Sequence, residues 1–369
     1  MRNAGRVSFG VVGAVTLAAG MLAAGMLAPK AAAQSLKKVT VAVPVAAIPV
    51  STAMYSSLPR DLGYWKEGGL DVNVIAVAGS SIAMQMLMTG QVDYASSGLP
   101  TYLATRAQTD RVSAYYCVYS RNQFQIATLP DSPIKSVKDM AGKKFGVMDL
   151  ASAAVVYTKA VLQASGVDPN SVQLLPLSGS PAAVANGLSG RVVDGIAVYD
   201  SIVGGVKAIL NKDLTLLHTP YDDTFRCGLV VAARRDSIKS DPASAVAIAR
   251  GIAKATAFAR ANPKGAIGLH WKAYPETRPG SAVGDPMTAS LSELNARLET
   301  MLVEREKGEK WGDVGEENFQ AYQKFLVDAG EIKKLVPYAD AFDRSLIDKI
   351  NDWDESKVKE QAAGFKPEQ

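Results

Sequence analysis

The chain has 369 residues, of which 48% are hydrophobic, and its 40 Lys and Arg against 36 Asp and Glu give a formal net charge of +4. Without the first 33 residues the charge falls by three, to +1, because Arg2, Arg6 and Lys30 are removed and no acid is. A chain this close to neutral offers no electrostatic basis for binding nucleic acid or an acidic membrane surface.

The first 33 residues are predicted to be an export signal. Arg2 and Arg6 precede an apolar run at 7–27, and the Ala-Ala-Ala at 31–33 is a small-residue cleavage site. A membrane anchor is the alternative, but four glycines dilute the run. We therefore expect a mature chain that starts at Gln34 and is secreted into the periplasm. Its length exceeds one ordinary core and predicts two lobes.

From residue 39 onward, short β-rich runs alternate with helix-length amphipathic runs. The first four strands are predicted at 39–43, 70–77, 92–96 and 112–119. Long connections separate the first three, which leaves room for crossover helices. This alternation predicts an α/β lobe in which a mostly parallel sheet is flanked by helices.

A second series of the same kind begins after Pro130 and Pro133. Its strands are predicted at 143–148, 172–177, 194–199 and 214–218, and its helices near 152–165, 181–189 and 201–211. This series predicts a second α/β lobe.

One more strand pattern, at 225–234, has no strand series after it. The rest of the chain looks helical, with helices predicted at 241–261, 286–306, 315–329 and 341–352. The lone strand most simply returns to the first sheet. We therefore predict a discontinuous first lobe, 34–120 and 225–369 with C-terminal helices, and a second lobe at 121–224.

A similar phrase occurs in both series. The chain reads GSSIAMQMLMTGQVD at 79–93 and GSPAAVANGLSGRVVD at 179–194. In each copy a serine opens a helix after a strand, so free backbone N–H groups lie at the carboxyl edge of a parallel sheet, where ligands bind. The alternative is that Ser80 and Ser180 are ordinary helix caps.

Six further motifs resemble a known family. They read GYWKEGGLDVNVI, GQVDYASSG, SVKDMAGKKFGV, GRVVDGIAVYD, RCGLVVAARRD and LIDKINDWD, between residues 63 and 354. In this order they resemble the solute-binding components of ATP-driven importers for sulfonates, taurine and nitrate, which have the type II periplasmic binding fold. The resemblance implies a monomer that captures a small molecule between its lobes and delivers it to an ABC permease in the inner membrane.

The resemblance also implies where the ligand is held. In this family the contacts come from the loop after the first strand, the start of the next helix, and the exits of later strands. In this chain those positions are Pro44, Val45, Ala46, Ser80, Ser81, Ser97, Gly98, Asp149, Ser152, Tyr199 and Asp200. Relatives often carry Trp-x-Pro where this chain has Tyr199-Asp200-Ser201, so the chain departs from the family pattern at this ligand contact.

Two arginines beside the predicted lobe crossings are candidates for holding an anion. Arg121 and Arg226 could each bind a sulfonate or carboxylate with two parallel hydrogen bonds, or could be solvated hinge residues. Asp200 could pair with an ammonium group or cap a helix, and Tyr199 and Phe225 could form walls or core. We expect a small organic acid or zwitterion as the ligand.

The chain has two cysteines, Cys117 and Cys227. The resemblance implies that the strands carrying them pair antiparallel near the crossings between lobes. That places the two side chains next to each other, as a disulfide or as two buried thiols.

Enzymatic motifs are absent from the sequence. There is no G-x-S-x-G, G-x-G-x-x-G, P-loop or H-E-x-x-H, and the only two histidines, His218 and His270, are far apart. We expect no catalytic residues, no cofactor and no metal. The alternatives are an enzyme of the same fold, of the thiamine-pyrimidine or menaquinone-pathway type, and a periplasmic ligand sensor.

Overall fold

The computed structural model describes residues 35–177, 180–222, 224–280 and 285–366. The predicted export signal lies outside the described residues. The described residues contain ten strands: β1 Lys37–Val43, β2 Leu70–Ala76, β3 Tyr94–Gly98, β4 Val112–Cys117, β5 Phe124–Thr128, β6 Lys144–Val147, β7 Gln173–Pro176, β8 Gly195–Tyr199, β9 Thr215–Leu216 and β10 Leu229–Arg234.

Helices connect these strands and form most of the C-terminal third. The α-helices are α1 Ser57–Asp61, α2 Tyr64–Glu67, α3 Ser80–Thr89, α4 Leu99–Arg106, α5 Ala153–Ala164, α6 Pro181–Ser189, α7 Asp200–Leu210, α8 Arg235–Ser240, α9 Pro242–Ala261, α10 Pro263–Ala273, α11 Pro286–Thr300, α12 Glu316–Asp328, α13 Tyr338–Ala341, α14 Ile347–Ile350 and α15 Glu355–Gly364. A 3₁₀ helix, Val50–Tyr55, follows β1. No helix among the described residues is long and apolar enough to cross a membrane.

The strands form two five-stranded sheets. The first has the order β2-β1-β3-β10-β4, and β10 runs antiparallel to both of its neighbours while β1 pairs in parallel with β2 and β3. The second has the order β7-β6-β8-β5-β9, with β5 antiparallel to β8 and β9. The predicted α/β fold class, two mostly parallel sheets flanked by helices, is confirmed.

Strand β5 was not predicted from the sequence. Its five residues alternate between buried and half-buried positions only at their start, and the segment is short enough to be read as part of the crossing between lobes. The chain passes from the first sheet to the second between β4 and β5, and returns between β9 and β10.

Cys117 and Cys227 form a disulfide with a Cα–Cα distance of 5.6 Å. Cys117 ends β4 and Cys227 lies just before β10, so the bond joins the two segments where the chain passes between the sheets. Cys227 adopts a left-handed backbone conformation with φ of 68°. Gly228 follows it against Gln123, whose side chain donates to the Gly228 carbonyl at 3.0 Å. A larger residue than glycine has no room there.

One hydrophobic cluster includes residues of both sheets. It contains Val41 and Val231 of the first sheet and Phe145 of the second, together with most of α9. Trp65 packs against Gly251 of α9 and donates its indole N–H to the carbonyl of Ile248 at 3.1 Å. A smaller cluster lies between the second sheet and helices α6 and α7. Residues at or just after the carboxyl ends of strands in both sheets border a cavity.

Candidate ligand-binding site

A cavity of about 690 Å³ lies where residues from both sheets and from the C-terminal helices meet. The residues around it are Pro44, Val45, Ala46, Ala47, Pro49, Ser51, Thr52, Tyr55, Ser80, Gly98, Tyr119, Gln123, Met148, Asp149, Ser180, Pro181, Ala182, Ala183, Tyr199, Ser201, Ile202, Gly205, Ile209, Leu229, Glu276, Thr277, Arg278, Pro279, Gly280, Ala289, Glu293 and Arg297. This volume suits a small organic molecule.

The first sheet contributes the segment after β1, the start of α3 and the end of β3. Pro44, Val45 and Ala46 follow β1 directly, and Ser80 is the first residue of α3. The Ser80 hydroxyl accepts a hydrogen bond from the backbone N–H of Gly98 at 3.0 Å. This bond holds the end of β3 against the start of α3, and both lie at the cavity.

The second sheet contributes the segment after β6, the start of α6 and the end of β8. Asp149 and Tyr199 line the cavity, and the Tyr199 hydroxyl is 2.5 Å from the hydroxyl of Ser152. Ser152 itself lies behind the cavity wall, where its Oγ also accepts from the N–H of Ala154 and caps α5. Ser152 therefore positions the Tyr199 ring.

The two sides meet closely at one edge of the cavity. Gly79 has φ of 90°, and a Cβ added there would lie 2.6 Å from Oδ1 of Asp149. The N–H of Ser81 donates to the carbonyl of Ala151 at 3.3 Å across the same contact. Only glycine permits this approach between the start of α3 and the loop after β6. Burial raises the pKa of Asp149.

Helix α11 brings two opposite charges to the cavity. Glu293 and Arg297 are one helical turn apart, and their exposed fractions are 8% and 4%. Arg297 donates from Nη2 to Oδ1 of Asp200 at 2.8 Å and to the hydroxyl of Ser201 at 2.9 Å. Its guanidinium also lies 4.2 Å from the ring centroid of Tyr119. Arg297 is thus fixed by residues of the second sheet's helix α7.

The Asp200 carboxylate bonds to groups of the protein itself. Besides Arg297, its carboxylate accepts from the N–H of Ser201 at 2.8 Å and from the Thr300 hydroxyl at 2.9 Å. It is 4% exposed, does not line the cavity, and burial raises its pKa. Asp200 was expected to pair with an ammonium group of the ligand or to cap a helix. It instead pairs with Arg297 of the protein and is itself the first residue of α7, where its carboxylate accepts from the N–H of Ser201.

Glu293 connects α11 to the opposite side of the cavity. Its Oε1 accepts from the hydroxyl of Ser51 at 2.7 Å and from the Ser51 N–H at 3.3 Å. Burial raises the pKa of Glu293. Two N–H groups of Arg297, Nε and Nη1, are buried without a hydrogen-bond partner among the described residues. The site therefore holds polar groups that the protein itself leaves unsatisfied.

Several residues expected at the site lie elsewhere. Arg121 and Arg226 border a separate outer cleft of about 180 Å³, together with Glu304, Lys310 and Trp311. Three more predicted site residues do not line the cavity. Phe225 packs against Tyr221, Tyr322 and Phe325. Ser97 is buried and its hydroxyl donates to the carbonyl of Gly98, whereas Ser81 is exposed.

Sequence reasoning missed Glu293 and Arg297, although the sequence holds a signal for them. In the predicted helix 286–306, Glu293 and Arg297 lie on the same face as the buried residues Leu294 and Leu298. Charged residues four apart on the apolar stripe of a helix are expensive to bury and are retained where they are paired or bind a ligand. That register was the available clue.

Neither cysteine and neither histidine lines the cavity. His270 is fully buried, its Nε2–H donates to the carbonyl of Ile48 at 3.0 Å, and its Nδ1 accepts from the Ser57 hydroxyl at 2.8 Å. Burial lowers the pKa of His270 to about 4, so it is neutral at pH 7. Within the described ranges, no group of three His, Cys, Asp or Glu residues could hold a metal ion.

The fold and the cavity define the class as a two-sheet α/β protein with a small-molecule cavity at the sheet edges. The chain belongs to the NMT1/THI5-like family, whose model matches residues 49–266. This match and the structural neighbours below confirm the resemblance drawn from the six motifs.

Solved structures with the same fold come from several bacteria. A protein of Bordetella bronchiseptica RB50 is 20% identical, with a TM-score of 0.65 over 85% of this chain and 96% of that chain. The alkanesulfonate-binding protein SsuA from Xanthomonas axonopodis pv. citri, bound to MOPS, is 14% identical, with a TM-score of 0.61 over 83% and 97%.

The periplasmic aliphatic sulphonate binding protein SsuA from Escherichia coli is 18% identical, with a TM-score of 0.58 over 83% of this chain and 92% of that chain. At these identities the likeness shows the fold. No curated protein sequence matches the chain.

Proposed function

We propose that the protein is a periplasmic solute-binding protein that captures a small organic acid or zwitterion in the cavity and delivers it to an ABC importer. The observation that carries this proposal is the cavity of about 690 Å³ between the carboxyl edges of two sheets. Open α/β sheets bind ligands at that edge. The SsuA proteins of the same fold are named for the sulfonates that they bind.

The ends of several helices support binding of a polar solute. Helices α3 and α6 begin at the cavity with Ser80 and Pro181, so their N–H groups and the positive ends of their dipoles lie there. Tyr55, Tyr119 and Tyr199 supply aromatic surface for the apolar part of the solute. The lining thus combines polar helix ends with apolar walls.

Movement of the two sheets against each other supplies entry and release. We take the sheets as the centres of two lobes, 34–120 with 225–369 and 121–224, that close around the solute. The closed form then presents one surface to a permease in the inner membrane, and a monomer suffices for this role. The predicted export signal at 1–33 delivers the chain to the periplasm.

Native mass spectrometry of protein taken from the periplasm of its own host tests the proposal directly. We expect one small molecule per chain. After that molecule is removed by unfolding and refolding, adding it back should raise the melting temperature with concentration and reduce the radius of gyration in X-ray scattering. A chain that carries no small molecule and shows no compaction with any extract fraction would contradict the proposal.

Two variants show whether binding takes place in this cavity. Ala46→Trp adds bulk at an exposed position on the cavity wall, and we expect it to weaken binding by roughly tenfold or more without changing stability. Arg226→Ala lies in the outer cleft and should leave affinity unchanged. Equal binding by both variants would place the solute elsewhere.

The two alternatives make different demands. An enzyme of this fold would convert the bound molecule, whereas we propose that the molecule is released unchanged, which mass spectrometry of the released compound checks. A sensor would leave uptake of the solute intact when the gene is deleted, whereas we expect uptake to be lost.

A further inference from the structure

The charges around the cavity are out of balance. The charged residues among its described lining are Asp149, Glu276, Glu293, Arg278 and Arg297, and Asp200 lies directly behind Arg297. Glu276 and Arg278 are exposed and carry opposite charges, so they offset each other. Of the remaining groups, Asp149 and Glu293 line the cavity and Asp200 pairs with Arg297 behind it, so three carboxyl groups accompany a single guanidinium. The interior therefore has an excess of negative charge.

Arg297 is not available as a free cation for an anionic solute. Its charge is already matched by Asp200 at 2.8 Å, in a pair whose side chains are each 4% exposed. Asp200 neutralises the charge of Arg297, and hydrogen bonds from Ser201 and Thr300 hold the Asp200 carboxylate in place. The buried pair is therefore already satisfied within the protein. What Arg297 still offers is hydrogen bonding from Nε and Nη1, which have no acceptor in the described part of the chain.

No cation among the described residues is hydrogen-bonded to Glu293. Its one bonded oxygen, Oε1, receives only the hydroxyl and N–H of Ser51, and no hydrogen bond among the described residues reaches Oε2. A buried carboxylate without a hydrogen-bonded cation is costly, and burial raises the pKa of Glu293 by more than the Ser51 hydrogen bonds and the nearby Arg297 charge lower it. A partner that arrives with the solute would remove the cost.

We infer that the solute carries an ammonium or amidinium group, and that Glu293 is the residue that binds it. The inference rests on the proposed function and narrows it: of the two expected classes, the zwitterion fits the cavity and the plain organic acid does not. The anionic or oxygen-rich end of the zwitterion then lies toward the unused N–H groups of Arg297 and the helix starts at Ser80 and Pro181. A plain sulfonate would leave Glu293 unpaired and would add a second negative charge beside it.

Two matched sets of compounds test this assignment by titration calorimetry on the purified, ligand-free protein. Each set has one carbon body with three charge patterns: aminopropanesulfonate, propanesulfonate and propylamine; and aminomethylbenzenesulfonate, toluenesulfonate and benzylamine. We expect the amine-bearing members of at least one set to bind, and the plain sulfonate of the same set to bind at least roughly 30-fold more weakly than its aminosulfonate.

The variant Glu293→Gln keeps the size of the side chain and an acceptor for Ser51. It should weaken aminosulfonate binding by roughly 30-fold while leaving plain sulfonate binding unchanged or stronger. Because burial raises the pKa of Glu293, the glutamine variant should be no less stable at pH 7, which a melting curve checks. The matched control, Glu317→Gln, removes an exposed carboxylate of α12 that does not line the cavity, and it should change aminosulfonate affinity by less than about threefold.

The outcomes separate the inference from the proposed function. A plain sulfonate that binds as tightly as its aminosulfonate, or an unchanged preference in Glu293→Gln, overturns the role of Glu293 and leaves solute capture intact. Failure of every amine-bearing compound to bind also overturns the inference. A native solute without a basic nitrogen does the same, whereas the absence of any native solute counts against the proposed function itself.

Discussion

Two regions of the molecule hold arginine beside carboxylates, and they differ in what surrounds them. In the cavity, Arg297 and Glu293 are almost fully buried, and burial raises the pKa of Glu293. In the outer cleft, Arg226 is exposed and Glu304 is half-buried, and a hydrogen bond from Lys307 lowers the pKa of Glu304. Burial therefore makes these charges energetically costly in the cavity, whereas hydrogen bonding stabilises them in the outer cleft. In our proposal, a ligand completes only the buried arrangement.

The largest effect that this contrast predicts is on Arg297. Replacing it with Met leaves the Asp200 carboxylate buried without its cation, so the free energy of unfolding should fall by about 3–5 kcal/mol. Urea denaturation measures this. Adding Asp200→Asn to the variant should recover most of the loss. If Arg297→Met alone is as stable as the wild type, Arg297 does not neutralise a buried Asp200 carboxylate, and the contrast between the cavity and the outer cleft fails.

The disulfide beside the outer cleft should have the next largest effect. Replacing Cys117 and Cys227 with Ser opens a covalent link between residues 110 apart, and the free energy of unfolding should fall by about 2–5 kcal/mol. Reducing agent should lower the stability of the wild type toward that of the double variant and leave the double variant unchanged. An identical urea midpoint for the two proteins under oxidising conditions would contradict a disulfide.

The buried and exposed histidines extend the contrast to pH. At pH 7, His270 is neutral in both the folded and the unfolded chain. Below pH 6.5, His270 takes up a proton in the unfolded chain, whereas in the folded chain it stays neutral down to about pH 4. The free energy of unfolding therefore falls as the pH is lowered from 6.5 to about 4. The loss amounts to about 3 kcal/mol at pH 4. His270→Asn should flatten this dependence, and His218→Asn, at an exposed site, should leave it as steep as in the wild type.

The smallest effect should come from the outer cleft itself. Arg121→Ala and Arg226→Ala remove charges that have no buried ionic partner, so each should change the free energy of unfolding by less than about 0.5 kcal/mol. The measurement is the same urea titration used for Arg297→Met. A loss of several kcal/mol for either variant would erase the difference between the two regions.

The sheets could be predicted from the sequence because their signals are local. Every strand except β5 lies within or across a predicted run, and Gly90 ends α3 with φ of 77°, as its position after the helix suggests. Helix α10 was missed because Asn262-Pro263 reads as the end of α9. The Asn262 side chain in fact accepts from the N–H of Gly265 and begins the next helix.

The candidate site was predictable only where it follows strand ends. Ser80, Gly98, Asp149 and Tyr199 line the cavity because each lies at the carboxyl edge of a sheet. Glu293 meets Ser51 across 242 residues of chain, and no local pattern encodes that contact. Arg121 and Arg226 were predicted to bind an anion because they flank the crossings. They lie instead in the outer cleft, on the far side of the wall that Tyr119 and Gln123 form.

The bond between Cys117 and Cys227 constrains how the molecule can move. Two unlinked chain segments that connect two lobes would permit twisting, sliding and bending. In the two-lobe movement that we propose, the disulfide beside β4 and β10 would tie the two connections into one joint and would disfavour sliding of one lobe past the other. In the proposed closure, a single joint would bring Tyr199 of the second sheet back toward Ser80 of the first sheet along the same path in every cycle, so a covalent link away from the cavity would set how precisely the solute is enclosed.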